Sequence, residues 1–166
     1  MPHVTVITPT YNGEQYIAET IQSVLAQTMT DFEYIIVNDG STDGTLEILT
    51  EFEKQDQRIR IVTLPKASGG PTIPKNLALS MVRSPYVCFL DHDDYFAADK
   101  LAKMCVKMDE NPEWVAAFHD IQLINGTGTP HEGTYLSNSN FKIEARDYLR
   151  KKIAIGLNVP TIFISS

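Results

Sequence analysis

The chain has 166 residues, of which 43% are hydrophobic and 21% charged, and its formal net charge is −7 at pH 7. This length suffices for one domain with a substantial core, and the composition is ordinary for a soluble globular protein. The acidic charge excludes a nonspecific nucleic-acid binder, which needs a basic face to displace counterions. It leaves nucleotide binding open, because a metal ion can offset phosphate charge locally.

The cysteines and the amino terminus indicate a cytoplasmic protein. Cys88 and Cys105 lie in apolar stretches at a spacing that matches no metal motif, so we expect two buried free thiols in a reducing compartment. Residues 1–3 lead directly into a strand-like run, without the basic and apolar regions of a signal peptide. No apolar run approaches the length of a membrane span. We therefore expect a cytoplasmic location, with the inner face of the membrane as the alternative.

Apolar strand-like runs alternate with helical spacing along most of the chain. We predict strands at 4–7, 32–37, 59–64, 86–90 and 114–119. We predict helices at 14–27, 45–55, 75–82 and 99–110, with a glycine- and proline-rich loop at 66–74. Pro9 is expected to end the first strand and free the chain from the sheet. The alternation predicts an α/β fold with parallel strands and crossover helices.

The pattern weakens beyond about Ile121. Residues 125–140 are rich in Gly, Ser, Thr and Asn, which predicts a loop or an irregular hairpin. A helix is predicted at 145–155 and a strand at 159–165. Because the chain stops on a predicted core strand, we expect it to be a fragment of a longer protein.

Polar residues cluster where ligands bind in such sheets, beyond the carboxyl ends of the strands. The first, second and fourth predicted strands end in the segments Thr8–Gly13, Asn38–Gly44 and Asp91–Asp94. No Gly-x-Gly-x-x-Gly follows the first strand, and no Gly-x-x-x-x-Gly-Lys-Ser/Thr occurs. Dinucleotide-binding and P-loop sites therefore explain the chain poorly.

The segment 91–94 places three carboxylates in four residues, which repel one another unless a cation lies among them. If the segment is extended, Asp91 and Asp93 lie on the same side. Hard oxygen ligands suit Mg²⁺ or Mn²⁺, which also bind diphosphate. We predict that Asp93 contacts metal and diphosphate, whereas Asp94 only orients the loop. The alternative is a solvated turn in which Asp94 or Asp99 caps a helix.

Three more residues are candidates for contacts with a nucleotide. Asp39, directly after the second strand, is expected to accept a hydrogen bond from a base N–H, whereas Asp43 or Thr42 caps the next helix. Tyr11 is expected to stack on a nucleobase, with packing on the surface as the alternative. Lys75 is expected to meet diphosphate charge, and an ordinary solvated lysine is almost as good an explanation.

Three motifs in this order resemble the inverting family 2 glycosyltransferases: residues 6–12, 36–45 and 89–94, which read VITPTYN, IVNDGSTDGT and FLDHDD. The resemblance covers about residues 3–124. It implies the nucleotide-diphospho-sugar transferase fold, a three-layer α/β/α sandwich with a mainly parallel central sheet. It also implies a nucleotide-diphosphate sugar donor, with a UDP-sugar as first choice, and Mn²⁺ or Mg²⁺ as cofactor.

The resemblance assigns roles by position. Pro9 and Tyr11 match the nucleoside-contacting strand end, and Asp39 matches the base-contacting acid. Asp91 matches a ribose- or metal-proximal position and Asp93 the metal ligand. Lys75 falls where the family usually has arginine, so the charge is kept without the planar guanidinium fork. The candidate nucleotide-binding residues are Thr8, Pro9, Tyr11, Asp39, Lys75, Asp91 and His92, with Asp93 for the metal.

The resemblance also implies a mechanism, in which a carboxylate base deprotonates an acceptor hydroxyl and the metal stabilises the departing diphosphate. The implied base lies beyond Ser166. Asp120 is a weaker candidate for contact with the donor sugar and is not assigned as the base. We expect a single domain, with 1–124 as the nucleotide-sugar-binding part and 125–166 as the incomplete start of an acceptor-side part. The implied acceptor is a saccharide or a lipid-linked molecule.

Two other classes remain open from the sequence. A binding module would hold the nucleotide sugar without transferring it, and the missing carboxyl-terminal acid favours this for the chain as given. A receiver-like phosphoryl-transfer module would need one phosphate-accepting Asp and a partner Lys. The turn at 38–45 and the aromatic ring of Tyr11 fit that class poorly.

Overall fold

The computed structural model describes residues 1–118 and the strands at 122–124, 130–134 and 162–165. In chain order the elements are β1 (Val4–Thr10), α1 (Ile17–Leu25), β2 (Phe32–Asn38), α2 (Thr45–Gln55), β3 (Ile59–Thr63), α3 (Thr72–Leu79), β4 (Tyr86–Phe89), α4 (Lys100–Glu110), β5 (Ala116–Phe118), β6 (Gln122–Ile124), β7 (Pro130–Thr134) and β8 (Ile162–Ser165). None of the helices described here is long and apolar enough to cross a membrane.

Six strands form one sheet in the order β3-β2-β1-β4-β8-β5. The β1–β2, β1–β4 and β2–β3 pairs are parallel, whereas β8 runs antiparallel to both β4 and β5. The sheet is therefore mainly parallel, as predicted. The strands β6 and β7 form a separate antiparallel pair, which agrees with an irregular hairpin in that part of the chain.

The two faces of the sheet carry separate apolar cores, because successive residues of a strand point to opposite faces. On one face, Val6 and Ile36 pack with buried residues of α1, α2 and α4, such as Ile21. On the other face, Ile7 and Ile35 pack against α3. Helices thus cover both faces, which confirms the three-layer α/β/α architecture. Both cysteines are free and buried, also as predicted.

The prediction that Pro9 ends the first strand is wrong, because β1 continues to Thr10. Pairing of β1 with β4 stops at Ile7, whereas pairing with β2 continues to Thr10. The Thr10 carbonyl accepts a hydrogen bond from the Asp39 N–H on the β2 side, at 2.8 Å. Backbone groups of alternate residues face opposite neighbours, so the missing N–H of Pro9 faces the β4 side, where pairing has already ended.

Other boundaries also differ. The helix predicted from Lys75 begins at Thr72, because Pro74 lies in the first turn of α3, where no intrahelical N–H is needed. The fifth strand is limited to Ala116–Phe118, and the sheet gains the antiparallel β8 between it and β4. The helix predicted at 145–155 lies outside the described residues, as does Asp120.

Gln27 joins the end of α1 to the start of α4. Its buried side chain donates from Nε2 to the carbonyls of Ala97 (2.8 Å) and Ser23 (3.1 Å), and its Oε1 accepts from the Leu101 N–H at 2.9 Å. Leu101 lies in the first turn of α4, where N–H groups have no partner within the helix. Asp99, the N-cap residue, makes no side-chain capping bond. Gln27 therefore caps α4 from the neighbouring element.

Lys100 places an ammonium group inside the core. Its side chain is buried, with Nζ 3.8 Å from the Cys88 sulfur and 3.8 Å from the ring centroid of Phe96. Burial lowers the pKa of Lys100 from 10.5 to about 8, although Cys88 and Asp94 favour the charged form. Burial likewise raises the pKa of Cys88 from 9.0 to about 11. The fold therefore tolerates the unfavourable burial of the Lys100 ammonium group close to Asp94.

We expect Gln27→Ala to lower the free energy of unfolding by about 1–3 kcal/mol, because buried N–H and C=O groups lose their partners. Urea denaturation followed by circular dichroism measures this change. The matched control is Gln22→Ala, on the exposed side of α1, which should stay within about 0.5 kcal/mol of the parent chain. Equal effects of the two substitutions would contradict the capping role.

We expect Lys100→Met to raise the free energy of unfolding at pH 7 by up to about 3 kcal/mol, because it removes a buried charge. The unfolded chain binds more protons than the folded chain between the two pKa values of Lys100, about 8 and 10.5. This group therefore makes stability rise with pH across that window, and its full cost is present below about pH 8.

Urea denaturation at pH 7 and pH 9 tests this linkage, and the gain from Lys100→Met should be smaller at pH 9. Cys88 contributes in the opposite direction only above about pH 9, because the pKa of its thiol is raised from 9.0 to about 11. Lys103→Met is the control, because the exposed side chain of Lys103 forms an ion pair with Asp99 one helical turn away. A loss of stability at pH 7 in Lys100→Met would contradict the prediction.

Candidate functional site

The carboxyl ends of β1, β2 and β4 lie side by side at one edge of the sheet, because these strands are parallel neighbours. We call the segments that follow them, residues 11–14, 39–45 and 90–94, the rim. The three sequence motifs therefore come together, as the position rule for parallel sheets predicts.

Hydrogen bonds tie the loop after β1 to the loop after β2. The Asn12 N–H donates to the Ser41 hydroxyl at 3.0 Å, and the Asn12 side-chain oxygen accepts from the Thr42 N–H at 2.9 Å. The Gly13 N–H donates to the Thr45 hydroxyl at 2.8 Å. Asn12 adopts a left-handed backbone conformation, with φ of 49°, which asparagine tolerates better than most residues.

The same two loops are joined a second time through carboxylates. The Glu14 N–H donates to Asp43 at 3.2 Å, and Glu14 Oε2 accepts from the Gly44 N–H at 2.7 Å. Asp43 also accepts from the Thr45 N–H at 3.1 Å, at the start of α2, which confirms its predicted capping role. Partial burial acts to raise the pKa of Asp43, but hydrogen bonds from Thr45 and Glu14 outweigh it and lower the pKa.

The residues around Tyr11 divide between the core and the surface. The Tyr11 side chain is exposed, next to the fixed backbone of Asn12. Pro9 is buried within β1. Thr8 is also fully buried, and its hydroxyl pairs with the Tyr34 hydroxyl at 2.9 Å. The Thr8 side chain therefore faces the core, and we do not retain it as a nucleotide contact.

Asp39 lies at the end of β2, almost fully buried, and both its oxygens have protein partners. Ser68 donates its backbone N–H to Oδ1 and its hydroxyl to Oδ2, each at 2.9 Å. The next residue, Gly40, has a φ of 68° and touches the backbone of the Lys66 loop. A Cβ at Gly40 would lie 2.5–2.7 Å from backbone atoms of Lys66 and Ala67, so only glycine fits.

Lys75 and Asp91 form an ion pair at the rim. Lys75 Nζ lies 2.8 Å from Asp91 Oδ1, and both side chains are partly exposed. The same ammonium group is 5.7 Å from the centroid of the Phe89 ring. Sequence reasoning placed each residue at this edge but did not predict their pairing, which brings α3 against the end of β4.

The acidic segment is a turn, because the Asp94 N–H donates to the Asp91 carbonyl at 3.1 Å. The expectation of an extended segment with Asp91 and Asp93 on one side is therefore wrong. Asp93 is exposed. Loss of hydration raises the pKa of Asp94, and the charges of Asp93 and Asp91 raise it further, with partial compensation from Lys100 and His92. The rim thus holds excess negative charge.

His92 fixes this turn against α1 and the first loop. Its carbonyl accepts from the Thr20 hydroxyl at 2.7 Å. Its ring packs at Gly13, where a Cβ would lie 2.9 Å from the imidazole Cδ2 and 2.6 Å from the Thr10 hydroxyl oxygen. That Thr10 oxygen is buried and has no hydrogen-bond partner among the described residues.

The described residues include no group of three His, Cys, Asp or Glu side chains that could hold a metal ion by itself. Mg²⁺ in phosphate-binding enzymes needs only one or two carboxylates, because substrate phosphates and water complete its shell. The rim supplies two such carboxylates, Asp93 and Asp91, so its residues fit a cation that is bound together with a diphosphate.

Known proteins with similar sequences or structures are glycosyltransferases. The profile of Glycosyl transferase family 2 matches residues 5–164. The putative teichuronic acid biosynthesis glycosyltransferase TuaG of Bacillus subtilis is 44% identical over 129 residues, which cover 78% of this chain and 50% of TuaG.

Two solved structures are similar to this chain. One is S. aureus TarS 1–349 in complex with UDP-GlcNAc, with a TM-score of 0.70 and 34% identity, covering 79% of this chain and 37% of that one. The other is the mannosyltransferase PcManGT from Pyrobaculum calidifontis in complex with GDP-Man and Mn²⁺, with a TM-score of 0.65 and 27% identity, covering 75% and 36%.

The chain spans about half or less of the length of these relatives. The family profile nevertheless extends over almost all of its residues, and the fold and rim agree with it. The chain therefore belongs to glycosyl transferase family 2.

Proposed function

We propose that this chain forms the donor-binding part of a metal-dependent, inverting glycosyltransferase that uses a UDP-sugar. The observation that carries the proposal is the rim itself, where three strand ends bring an exposed aromatic ring, a fixed carboxylate and an acidic turn together. The UDP-GlcNAc bound to TarS supports the donor class, and the Mn²⁺ bound to PcManGT supports the metal.

The nucleoside end of the donor is assigned to the loops after β1 and β2. Tyr11 offers an exposed ring for stacking on the base, and the loop network fixes the backbone beside it. Asp39 accepts a hydrogen bond from a base N–H. Pro9, buried in β1, shapes the strand end from which Tyr11 projects.

The diphosphate end is assigned to the acidic turn and α3. Asp93, an exposed acid of the turn, is the proposed metal ligand, and Asp91 and His92 lie next to it. Lys75 holds Asp91 in the free protein and can meet a phosphate oxygen once a cation neutralises that acid. A bound Mn²⁺ or Mg²⁺ would offset the charge on the departing diphosphate.

The proposed reaction is a direct displacement at the anomeric carbon, in which a carboxylate base deprotonates the acceptor hydroxyl. We place the base beyond Ser166 and the acceptor, a saccharide or lipid-linked molecule, on the carboxyl-terminal side of the donor. In this proposal, residues 1–124 bind the nucleotide sugar and residues 125–166 begin the acceptor-side part. Both parts contribute strands to the main sheet, because β8 lies between β4 and β5.

A second candidate is a module that binds the donor without transferring the sugar. This chain spans only about half or less of the length of its relatives, and this favours the binding module for residues 1–166 taken alone. Sugar transfer by a longer chain that contains residues 1–166 would reject this candidate, whereas donor binding without transfer by that longer chain would support it.

Calorimetric titration of UDP, GDP, dTDP and CDP, with and without Mn²⁺, tests the donor site. We expect Mn²⁺-dependent binding of UDP, and Asp93→Ala should weaken it at least about tenfold, or ~1.4 kcal/mol. The matched control is Asp31→Ala, because the exposed Asp31 precedes β2 at the opposite edge of the sheet. No nucleotide binding by the folded parent chain would reject the donor site.

Lys75→Gln should weaken UDP binding about five- to tenfold, because it removes a positive charge from the diphosphate side. Uridine, which carries no phosphate, should bind equally well to the parent and the variant. Lys75→Arg keeps the charge and serves as the conservative control. Equal losses of uridine and UDP affinity in Lys75→Gln would show that Lys75 only supports the fold.

A further inference from the structure

Ser68 engages Asp39 through two separate donors. Its N–H reaches Oδ1 and its hydroxyl reaches Oδ2, so one residue fixes both oxygens and with them the plane of the carboxylate. Asp39 is almost fully buried, and its own N–H is bound to the Thr10 carbonyl. Little bulk water is therefore available to reorient this carboxylate, and its direction depends on Ser68.

The path of the chain brings Ser68 to this position. The Leu64 N–H donates to the Asn38 carbonyl at 2.8 Å, which carries the chain from β3 alongside the end of β2. The backbone of Lys66 and Ala67 then packs directly on Gly40, which has no side chain to hold it away. Two independent backbone contacts, one at Asn38 and one at Gly40, thus bring Ser68 next to Asp39.

The Ser68 hydroxyl has two acceptors within reach. Asp39 Oδ2 lies at 2.9 Å and the Gly70 carbonyl at 3.1 Å, but a hydroxyl has only one proton to donate. A hydrogen bond to a carboxylate is roughly twice as strong as one between neutral groups. The proton therefore goes to Asp39, and the carboxylate keeps both of its Ser68 bonds.

A carboxylate offers about four lone-pair sites, so two remain after Ser68 has used two. We propose that Ser68 is a positioning residue for base recognition: it orients Asp39 so that a remaining lone pair accepts the N3–H of a uracil base. This inference rests on the proposed function, because it needs a nucleotide base at the rim. It adds a specificity-determining residue that does not itself touch the base.

A comparison of two nucleotides distinguishes this positioning role of Ser68 from a role in which Ser68 only anchors the loop. UDP has the N3–H donor, and N3-methyl-UDP does not, while the ribose and diphosphate are unchanged. Calorimetry on the full 166-residue chain with Mn²⁺ gives the ratio of the two affinities. We expect the parent chain to prefer UDP by at least about tenfold, because the methylated base offers Asp39 no N–H donor and its methyl group blocks close approach.

Ser68→Ala keeps the N–H and removes the hydroxyl. We expect it to weaken UDP binding about three- to tenfold while the affinity for N3-methyl-UDP changes less than about twofold. Ser68→Cys, whose thiol is a weak donor, should reproduce the loss, and Ser68→Thr should restore the ratio. Ser80→Ala is the matched control, because Ser80 is exposed and its hydroxyl donates to the Leu77 carbonyl within α3, away from the rim. Thermal unfolding verifies that each variant is folded.

Three results would overturn the inference. Equal weakening of both nucleotides in Ser68→Ala would mean that Ser68 only anchors the loop. Tighter UDP binding in that variant would mean that Ser68 competes with the base. The third result concerns the parent chain itself, which would either fail to bind UDP or show no preference for UDP over N3-methyl-UDP. That last result would reject the proposed base contact itself, and so differs from a failure specific to Ser68.

Discussion

The site depends on the hydrogen bonds that join the loop after β1 to the loop after β2. Parallel pairing brings the two strand ends together, but it does not fix the loops that follow them. Asn12 and Glu14 each both donate to the second loop and accept from it, so neither loop can shift alone. A Cβ at Gly44 would lie 2.9 Å from Glu14 Oε2, so a larger residue there would displace this carboxylate from the Gly44 N–H. The backbone that carries Tyr11 is therefore held next to the loop that begins with Asp39 before any ligand arrives, which reduces the ordering cost of binding.

The charges at the rim are balanced only in part. Lys75 pairs with Asp91, and the buried Lys100 acts on Asp94, but Asp93 has no cationic partner among the contacts described here. Loss of hydration is the main cause of the raised pKa of Asp94, and the nearby charges of Asp93 and Asp91 raise it further. A divalent cation with its diphosphate would relieve this repulsion without rearranging the sheet. The electrostatics of the rim therefore support the proposal that the donor binds together with a divalent cation.

Local apolar patterning was sufficient to predict the main-sheet strands that were expected and the edge that carries the polar motifs. The three-layer architecture was implied by the family resemblance. The sequence did not predict the features that depend on a strand or side chain that is distant in sequence but close in space. Pro9 stays in β1 because β4 has already stopped pairing, and β8 enters the sheet between strands that are closer in sequence. The pairs Ser68–Asp39 and Lys75–Asp91 join residues 29 and 16 positions apart, and no spacing rule predicts such contacts. The acidic motif was correctly placed at the rim, but its turn geometry was not predicted.

The sheet also shows how a donor site and an acceptor side can share one edge. The strand β5 runs in the direction of β4, because each is antiparallel to β8 between them, so Phe118 ends β5 at the rim edge. For the same reason β8 begins at that edge with Ile162. The chain thus leaves the sheet and returns to it on the side where the donor is proposed to bind. The proposed acceptor-side part, which begins between these two strands in sequence, can therefore be inserted at this edge without disturbing β1, β2 or the loops proposed to bind the base.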